Sequence, residues 1–403
     1  MSDLGRRILI ISNGHGEDLI GASLAKSLRA HDQDLALRAL AVVGLGQTYA
    51  AAGVPLLMAG RALPSGGFIR NGLRNLMADL GAGLLSLTWR QRKALRRAAE
   101  ETDLAVCVGD CLLLLLAGPV LHCPLVFLPT AKSDYVSPHW PVEIRLMRRY
   151  CARIFPRDAV TARSLAAHGL PAEFLGNIMM DALEETGPDL SAQEGQWVIG
   201  ILPGSRQEAY LNMEDIARVT LALHALAPER TPAISYLVAL AGMLSPDEVA
   251  RRLGPHGWVS RAADADQVRR GIVGHLEHRA SCPPVRLTLV KGRFADVLAA
   301  SHAVIGMAGT ANEQAAGLGK PVITFVGRGA QFTEKFVRTQ KKLLGAAISV
   351  VERDPHAVAR EILAIIPDKA RKEAMAREGR ERMGGAGGAD RTARAIIRML
   401  TDA

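Results

Sequence analysis

Short apolar runs alternate with helical patterns from one end of the chain to the other. Ile8-Leu9-Ile10-Ile11 and Trp197-Val198-Ile199-Gly200-Ile201-Leu202 are continuously hydrophobic rather than alternating. That is the pattern of strands in a parallel sheet covered by helices on both faces. The first half predicts strands over residues 7–12, 35–43, 54–58, 103–109, 124–130, 152–156 and 172–175, with helices over 18–30, 112–117 and 159–168. A second series predicts strands over 197–202, 234–240, 285–290, 302–307, 321–326 and 346–351. Its helices are expected over 213–226, 294–300, 332–344 and 355–366. Strands separated by helical stretches make an α/β chain, and two such series imply two Rossmann-like, doubly wound domains facing a cleft.

Residues 184–196 (Glu-Glu-Thr-Gly-Pro-Asp-Leu-Ser-Ala-Gln-Glu-Gly-Gln) have the composition of a linker. The expected division is therefore a first domain over 1–183, a second over 197–367, and basic C-terminal helices over 368–403 that could cross back to the first domain. Gly384-Gly385-Ala386-Gly387-Gly388 makes a joint between those helices. The polar stretch 260–284 reads as an insertion without an assigned element. Residues 111–131 carry no formal charge. Pro119, Pro124 and Pro129 argue against a spanning helix there, so the stretch reads as a buried helix followed by a buried strand.

Ligands in doubly wound sheets sit outside the carboxyl ends of the strands, so the strand-to-helix loops carry the candidate chemistry. The first loop is Ser12-Asn13-Gly14-His15-Gly16-Glu17-Asp18. Asn13, Gly14 and Gly16 permit close backbone approach, and His15 offers a polar ring; the plain alternative is a tight turn whose Glu17 and Asp18 favour the helix dipole. The spacing is not GxGxxG, so a dinucleotide fingerprint is absent. The second loop is Leu202-Pro203-Gly204-Ser205-Arg206, in which Gly204 and Ser205 supply donors and Arg206 holds a phosphate. As a bare tetrapeptide, Pro-Gly-Ser-Arg is an ordinary turn.

The third stretch, Gly306-Met307-Ala308-Gly309-Thr310-Ala311-Asn312-Glu313-Gln314, runs from a strand into a helix of small residues. Small side chains at Gly309 and Ala311 let a diphosphate reach the helix start, and Glu313 is placed to take ribose hydroxyls. A tightly packed βαβ unit would also use such residues, but Asn312-Glu313-Gln314 is polar for packing alone. Asp110 closes the strand over 103–109, where it either caps the next helix or acts as a partly desolvated carboxylate.

Composition narrows the partners. The chain of 403 residues carries a net charge of +9 and few aromatics, 4%. Residues 61–97 hold eight Lys and Arg against Asp79 alone, a net of +7, whereas the rest of 1–190 is acidic. The excess is thus one patch, interleaved with Phe68, Ile69, Leu73, Leu76 and Trp89. Such a helix suits an anionic lipid surface, with Phe68, Arg70, Arg74, Trp89 and Arg90 as contacts. A solvated helix face over core leucines is the alternative. Nucleic acid is not expected, since no binding motif accompanies the charge. Cys107, Cys111, Cys123, Cys151 and Cys282 form no CxxC pair, so they read as buried thiols in a reducing cytosol, with no metal site expected.

Four stretches together resemble lipid-A-disaccharide synthase. They are Phe294-Ala295-Asp296-Val297-Leu298-Ala299-Ala300-Ser301 through Met307-Ala308-Gly309-Thr310-Ala311-Asn312-Glu313, Leu202-Pro203-Gly204-Ser205-Arg206, Tyr135-Val136-Ser137-Pro138-His139-Trp140, and Gly176-Asn177-Ile178-Met179-Met180-Asp181. They fall in the family's order across most of residues 7–345. The enzyme that adds N-acetylglucosamine to the lipid-linked peptidoglycan precursor is a more distant relative. The resemblance implies the GT-B type of fold, a UDP-sugar donor on the second domain and a membrane-lipid acceptor on the first. The family's Ala-Gly-Glu-x-Ser-Gly-Asp loop stands here as Ser12 to Asp18, and its Gly-His as Gly176-Asn177. The acceptor loop has therefore changed more than the donor loops, which points to another glycolipid as acceptor.

The expectation is an inverting glycosyltransferase without metal or other cofactor, at the inner face of the cell membrane. Gly204, Ser205, Arg206, Gly309, Thr310, Asn312, Glu313 and Gln314 would bind the donor. Asp110, which aligns with the family's acidic residue, is the favoured base, and His15 is its rival because imidazole titrates near neutral pH. The alternatives are a UDP-N-acetylglucosamine 2-epimerase and a non-catalytic peripheral protein that binds lipid or RNA.

Overall fold

The computed structural model describes residues 6–58, 84–183, 186–187, 190, 195–279, 281 and 284–401. It divides into two units, Met1–Ala182 with Gly385–Ala403, and Leu183–Gly384.

Unit 1 is built on β1 (Arg7–Ser12), whose side chains are buried on both faces because helices cover each side. Ile8 and Ile10 join one core with Leu24 and Leu28 of α1 (His15–His31). Leu9 and Ile11 join the other, with Leu113, Leu114 and Met147. β2 (Ala36–Ala41), α2 (Gln47–Ala51) and α3 (Leu84–Ala98) follow. After them come β3 (Leu104–Gly109), α4 (Leu112–Ala117), β4 (Leu125–Pro129), α5 (Pro141–Tyr150), β5 (Arg153–Ile154) and α6 (Ala159–Ala167). The sheet has the order β2-β1-β3-β4-β5 and is parallel throughout.

Unit 2 runs β6 (Trp197–Leu202), α7 (Glu208–Leu226), β7 (Ile234–Leu240), α8 (Pro246–Leu253), β8 (Trp258–Arg261), α9 (Ala265–Arg269), β9 (Ile272–His278) and β10 (Arg286–Lys291). It continues with α10 (Phe294–Ala300), β11 (Ala303–Gly306), α11 (Gly309–Gly317), β12 (Val322–Thr324), α12 (Glu334–Leu344), β13 (Ile348–Val350), α13 (Pro355–Ile365) and α14 (Lys369–Met383). Its sheet has the order β13-β12-β11-β6-β7-β10-β9-β8. Ile199, Ile201, Val238 and Ile305 face one core with α7 and α13, while Val198, Leu237 and Val290 face another with Val297 of α10. Each such side chain contributes about 1.5–3 kcal/mol on burial.

α14 stays with unit 2, whereas α15 (Gly388–Thr401) packs on α1 in unit 1. The Asp181 carboxylate accepts Gly387 N and, at 2.7 Å, Ala389 N, so a residue far back in the chain satisfies the start of α15. Ala389, Ala393 and Ile396 complete the α1 side of the core.

Several expected elements differ. Residues 54–58 and 172–175 are not strands; each makes a single bridge, Ala39 to Leu56 and Ile154 to Ala172. The stretch 260–284 is part of the sheet, since β9 pairs antiparallel with both β10 and β8. Its half-exposed strand carries His275, Glu277 and His278, so it lacks the apolar run of a doubly covered strand. α4 is not wholly buried, because Leu112 and Leu115 are each 46% exposed. Of the cysteines only Cys107 is fully buried; Cys111, Cys123 and Cys151 are half-buried, and Cys282 lies outside the described residues. No helix among the described residues is long and apolar enough to cross a membrane.

Candidate functional site

In unit 1 the first loop leaves β1 at Ser12 and enters α1 at His15, three residues earlier than the sequence pattern suggests. Ser12 and Asp18 are fully buried. Ser12 Oγ donates to Asp18 Oδ1 at 2.5 Å and itself accepts Tyr49 OH at 2.9 Å. Gly21 makes that possible, for a Cβ there would lie 2.0 Å from the Tyr49 hydroxyl oxygen. Burial pushes the Asp18 carboxyl up, against the pull of the Ser12 hydrogen bond. Asp18 therefore braces the loop from below.

The residues above that brace differ in their surroundings. Asn13 is half-buried and His15 and Gly16 are exposed, with nothing near the place a Gly16 Cβ would occupy. Gly14 is confined, because a Cβ there would fall 2.3 Å from Glu17 Oε2. Asp110 is half-buried at the end of β3 and its Oδ1 accepts Leu112 N at 2.9 Å, so it does turn the chain into α4. Glu17, which the sequence offers only as a dipole partner, is half-buried too. Its Oε1 receives a long hydrogen bond, 3.5 Å, from Thr130 Oγ1 beyond β4. Burial pushes the Glu17 carboxyl up, and Asp110 and Asp18 add to the rise by like charge. No local pattern marks Glu17, since its neighbours come from other strands.

In unit 2 the ends of β6 and β11 line a pocket of about 130 Å³ with Gly204, Ser205, Arg206, Ala308 and Gly309. Gly204 has φ +109°, and a Cβ there would sit 3.2 Å from Met307 O, so glycine is required for the two loops to touch. Asn212 Nδ2 on α7 donates to Pro203 O at 2.9 Å and fixes the second loop. Phe332 and Phe336, 5.2 Å apart, form a wall, and Gln331 lies beside them. Glu208 accepts Gln331 N at 3.2 Å, while Arg328 binds Leu211 O and Asp215, so residues 328–331 are fastened to α7 twice.

The predicted donor residues separate. Gly204, Ser205, Arg206 and Gly309 line the pocket, and Thr310 is exposed in the first turn of α11. Asn312 is fully buried and turned beneath the turn, with Nδ2 donating to Gly306 O at 3.3 Å. Glu313 is buried and accepts Gln340 Nε2 at 3.2 Å. Gln314 is half-buried and is not among the pocket's lining residues. Glu208, Asn212, Gln331, Phe332 and Phe336 were not foreseen; they belong to helices and loops whose approach depends on the folded sheet. A larger pocket, about 230 Å³, lies further along α7 between Asp215, Arg218, Arg328 and Arg353. Asp215 is ion-paired with both Arg328 and Arg218, and no predicted loop residue reaches this pocket.

Of the expected membrane contacts, Phe68, Arg70 and Arg74 lie outside the described residues. Trp89, 63% exposed, and Arg90 are on the surface of α3. Two adjoining helices add apolar surface: Leu112 and Leu115 on α4, Val142 on α5, and Trp140 at the start of α5. Lys132 lies 4.4 Å from the Trp140 ring and pairs with Glu143.

No protein-family model and no curated protein sequence matches the chain. Solved structures do. A Listeria monocytogenes protein taken to be a UDP-N-acetylglucosamine 2-epimerase superposes with a TM-score of 0.61 at 16% identity, over 99% of this chain and 98% of that one. The UDP-GlcNAc 2-epimerase of Neisseria meningitidis, solved with UDP-GlcNAc bound, gives 0.59 at 17% identity, over 98% and 100%. MurG of Acinetobacter baumannii gives 0.54 at 12% identity, over 98% and 100%. These likenesses establish the fold, an α/β chain of two Rossmann-like domains of the GT-B type.

Proposed function

We propose that the chain is a glycosyltransferase that moves a sugar from a UDP-sugar to a lipid acceptor with inversion at the anomeric carbon. The observation that carries the reading is the unit 2 pocket, where an arginine loop and the start of α11 meet at the ends of adjacent parallel strands. Backbone N–H groups at Gly309–Ala311 and the Arg206 guanidinium are suited to the charge that builds on a departing diphosphate. Gly204, Ser205, Thr310, Glu313 and Gln314 complete the donor-binding set in this reading, and Asn312, buried beneath the turn, supports it through Gly306 O. Glu313, held by Gln340, is the group for the ribose hydroxyls. No metal is required.

In unit 1 a base removes the proton of the acceptor hydroxyl as the sugar–diphosphate bond breaks. Asp110 has the strand-end position for that role, His15 is its rival, and Asn13, Gly14 and Gly16 shape the acceptor loop. The resemblance to lipid-A-disaccharide synthase argues for a glycolipid acceptor. Trp89, Leu112, Leu115, Trp140 and Val142, with Arg90 and the other bases of α3, are the chemistry of a face resting on an anionic membrane. That surface is the cytoplasmic side of the cell membrane in this reading.

A UDP-N-acetylglucosamine 2-epimerase is the second reading, favoured by the Listeria and Neisseria likenesses. Thermal shift against nucleotides tests the donor, since a ligand that binds only the folded state raises Tm. Stabilisation by UDP but not by ADP or GDP is expected; no response to UDP would end both enzyme readings. Incubation with UDP-N-acetylglucosamine alone separates them, because an epimerase interconverts it without an acceptor.

A further inference from the structure

The acceptor loop contains a carboxylate that neither the sequence pattern nor the resemblance selects. Glu17 stands in the first turn of α1, and its carboxyl group is folded back over Gly14, where only a missing Cβ leaves room for Oε2. Thr130 Oγ1 holds Oε1 from the end of β4, and Thr130 is itself fixed by Arg157 Nη1, which donates to Thr130 O at 3.1 Å. Asp110, at the end of β3 between β1 and β4, is close enough to act on Glu17 by like charge. Three neighbouring strands thus converge on one glutamate.

We propose that Glu17, rather than Asp110 or His15, takes the proton of the incoming hydroxyl, with Asp110 and Thr130 as the residues that position it. This rests on the glycosyl-transfer reading. The hydroxyl proton passes to the Glu17 carboxylate, and the oxygen's electron pair forms the bond to the anomeric carbon. The bond from that carbon to the diphosphate oxygen breaks, and its pair leaves with UDP. A general base works best when its basicity approaches the operating pH. Burial moves Glu17 in that direction. Asp110 Oδ1 is engaged by Leu112 N in turning the chain into α4, which suits it to a positioning role. The groups acting on Glu17 are Asp18 on its own helix, Asp110 after β3, and Thr130 after β4 with Arg157 behind it; His15 acts on Asp18, and Tyr49 from α2 feels the charge of both carboxylates.

The test combines turnover with a titration that needs no substrate. Sugar transfer, or UDP release by hydrolysis, is followed against pH for the wild type, Glu17→Gln, Asp110→Asn and His15→Ala. The carboxyl carbons of ¹³C-labelled glutamate are titrated by NMR in the unliganded wild type and in Asp110→Asn. Glu17→Gln is expected to lower kcat about 100-fold or more with the donor KM within twofold. Asp110→Asn is expected to lower kcat at least about tenfold less than Glu17→Gln does, and to move the acidic limb of kcat/KM to lower pH. The Glu17 resonance should titrate above the other glutamates and move down in Asp110→Asn. Near-wild-type turnover in Glu17→Gln beside a large loss in Asp110→Asn or His15→Ala would overturn the proposal. So would a Glu17 resonance that titrates with the rest. Failure of the glycosyl-transfer reading looks different: the wild type would interconvert UDP-N-acetylglucosamine without an acceptor, or neither it nor any variant would be stabilised by UDP, and the proposal would fall with it.

Discussion

Asn13 lies against the backbone of Gly109 so closely that a Cβ on the glycine would fall 1.9 Å from Asn13 Oδ1. The contact ties the loop after β1 to the end of β3, immediately before Asp110. Gly109 also has φ +144°, which an L side chain rarely adopts. Gly109→Ala should therefore cost about 2 kcal/mol, from backbone strain and from displacing Asn13. A loss of about 4–8 °C in Tm is expected, larger than for Asn13→Ala. Combining Asn13→Ala with Gly109→Ala should recover part of the loss, because the side-chain clash is gone while the strain remains.

Gly14 and Gly16 look equivalent in the sequence and are not. A Cβ on Gly14 would push Glu17 Oε2 aside, whereas one on Gly16 meets nothing within 4 Å. Gly14 has φ −177°, an extended value open to any residue, so its replacement carries no strain. Gly14→Ala should thus leave Tm within a few degrees and reduce turnover sharply. Gly16→Ala should leave Tm near wild type and reduce turnover much less than Gly14→Ala, since it does not displace Glu17. Equal turnover in the two variants would show that the Glu17 position does not matter.

Buried Asp18 makes stability depend on pH in a definite direction. Its carboxyl is pushed up by burial, so the native state holds that proton more tightly than the unfolded chain, whose Asp titrates near about 3.9. The contribution is present in acid and is lost as pH rises through the raised native value. Asp18→Asn keeps an acceptor for Ser12 and removes the titration. The Tm difference, variant minus wild type, should therefore increase from pH 4 to pH 8. Asp103 gives the opposite slope, since its hydrogen bond from Arg7 holds it below the usual range. Asp103→Asn should lose stability at neutral pH and approach wild type at pH 2–3.

On the donor side, Arg206 is exposed, so Arg206→Ala should leave Tm unchanged. A charge-assisted hydrogen bond to phosphate is worth about 1.5–3 kcal/mol. UDP affinity should accordingly fall about tenfold to a hundredfold by calorimetry. Gln340→Ala acts one step back, by releasing the Glu313 carboxylate it holds. It should weaken UDP more than it weakens inorganic diphosphate, which has no ribose. An equal loss for both ligands would argue against a ribose role for Glu313.

The parallel core was legible because burial on both faces leaves an uninterrupted apolar run, as in Ile8 to Ile11 and Val198 to Leu202. The same rule hid β9, an antiparallel strand partly exposed at both ends, in which His275, Glu277 and His278 interrupt the apolar run around Leu276. Residues 54–58 and 172–175 have strand composition but find only one bridge each. The glycines at 204 and 309 could be read because a close backbone approach excludes side chains whatever surrounds them. Glu17, Asn312 and Gln340 could not, since direction decides their roles. Asn312 turns under Gly306 and Glu17 turns over Gly14, and both orientations come from contacts outside the local sequence.

The apolar surface of unit 1 gives the remaining prediction. Trp89, Leu112, Leu115, Trp140 and Val142 are exposed on or beside three helices that pack in succession, α3 on α4 and α4 on α5. Arg90, Arg92, Lys93, Arg96 and Arg97 are on α3, and Arg145, Arg148 and Arg149 on α5. Aromatic side chains that enter the headgroup region hold a protein there, while arginines near the surface add about 1 kcal/mol each with anionic lipid. Trp140→Ala with Leu115→Ala should reduce sedimentation with phosphatidylglycerol vesicles at both low and high salt. Arg148→Gln with Arg149→Gln should reduce it at low salt only, because surface charge is screened at high ionic strength. Turnover of a water-soluble acceptor should be unchanged in all four substitutions. Sedimentation that ignores both the apolar and the basic pairs would remove the membrane from the account of this surface.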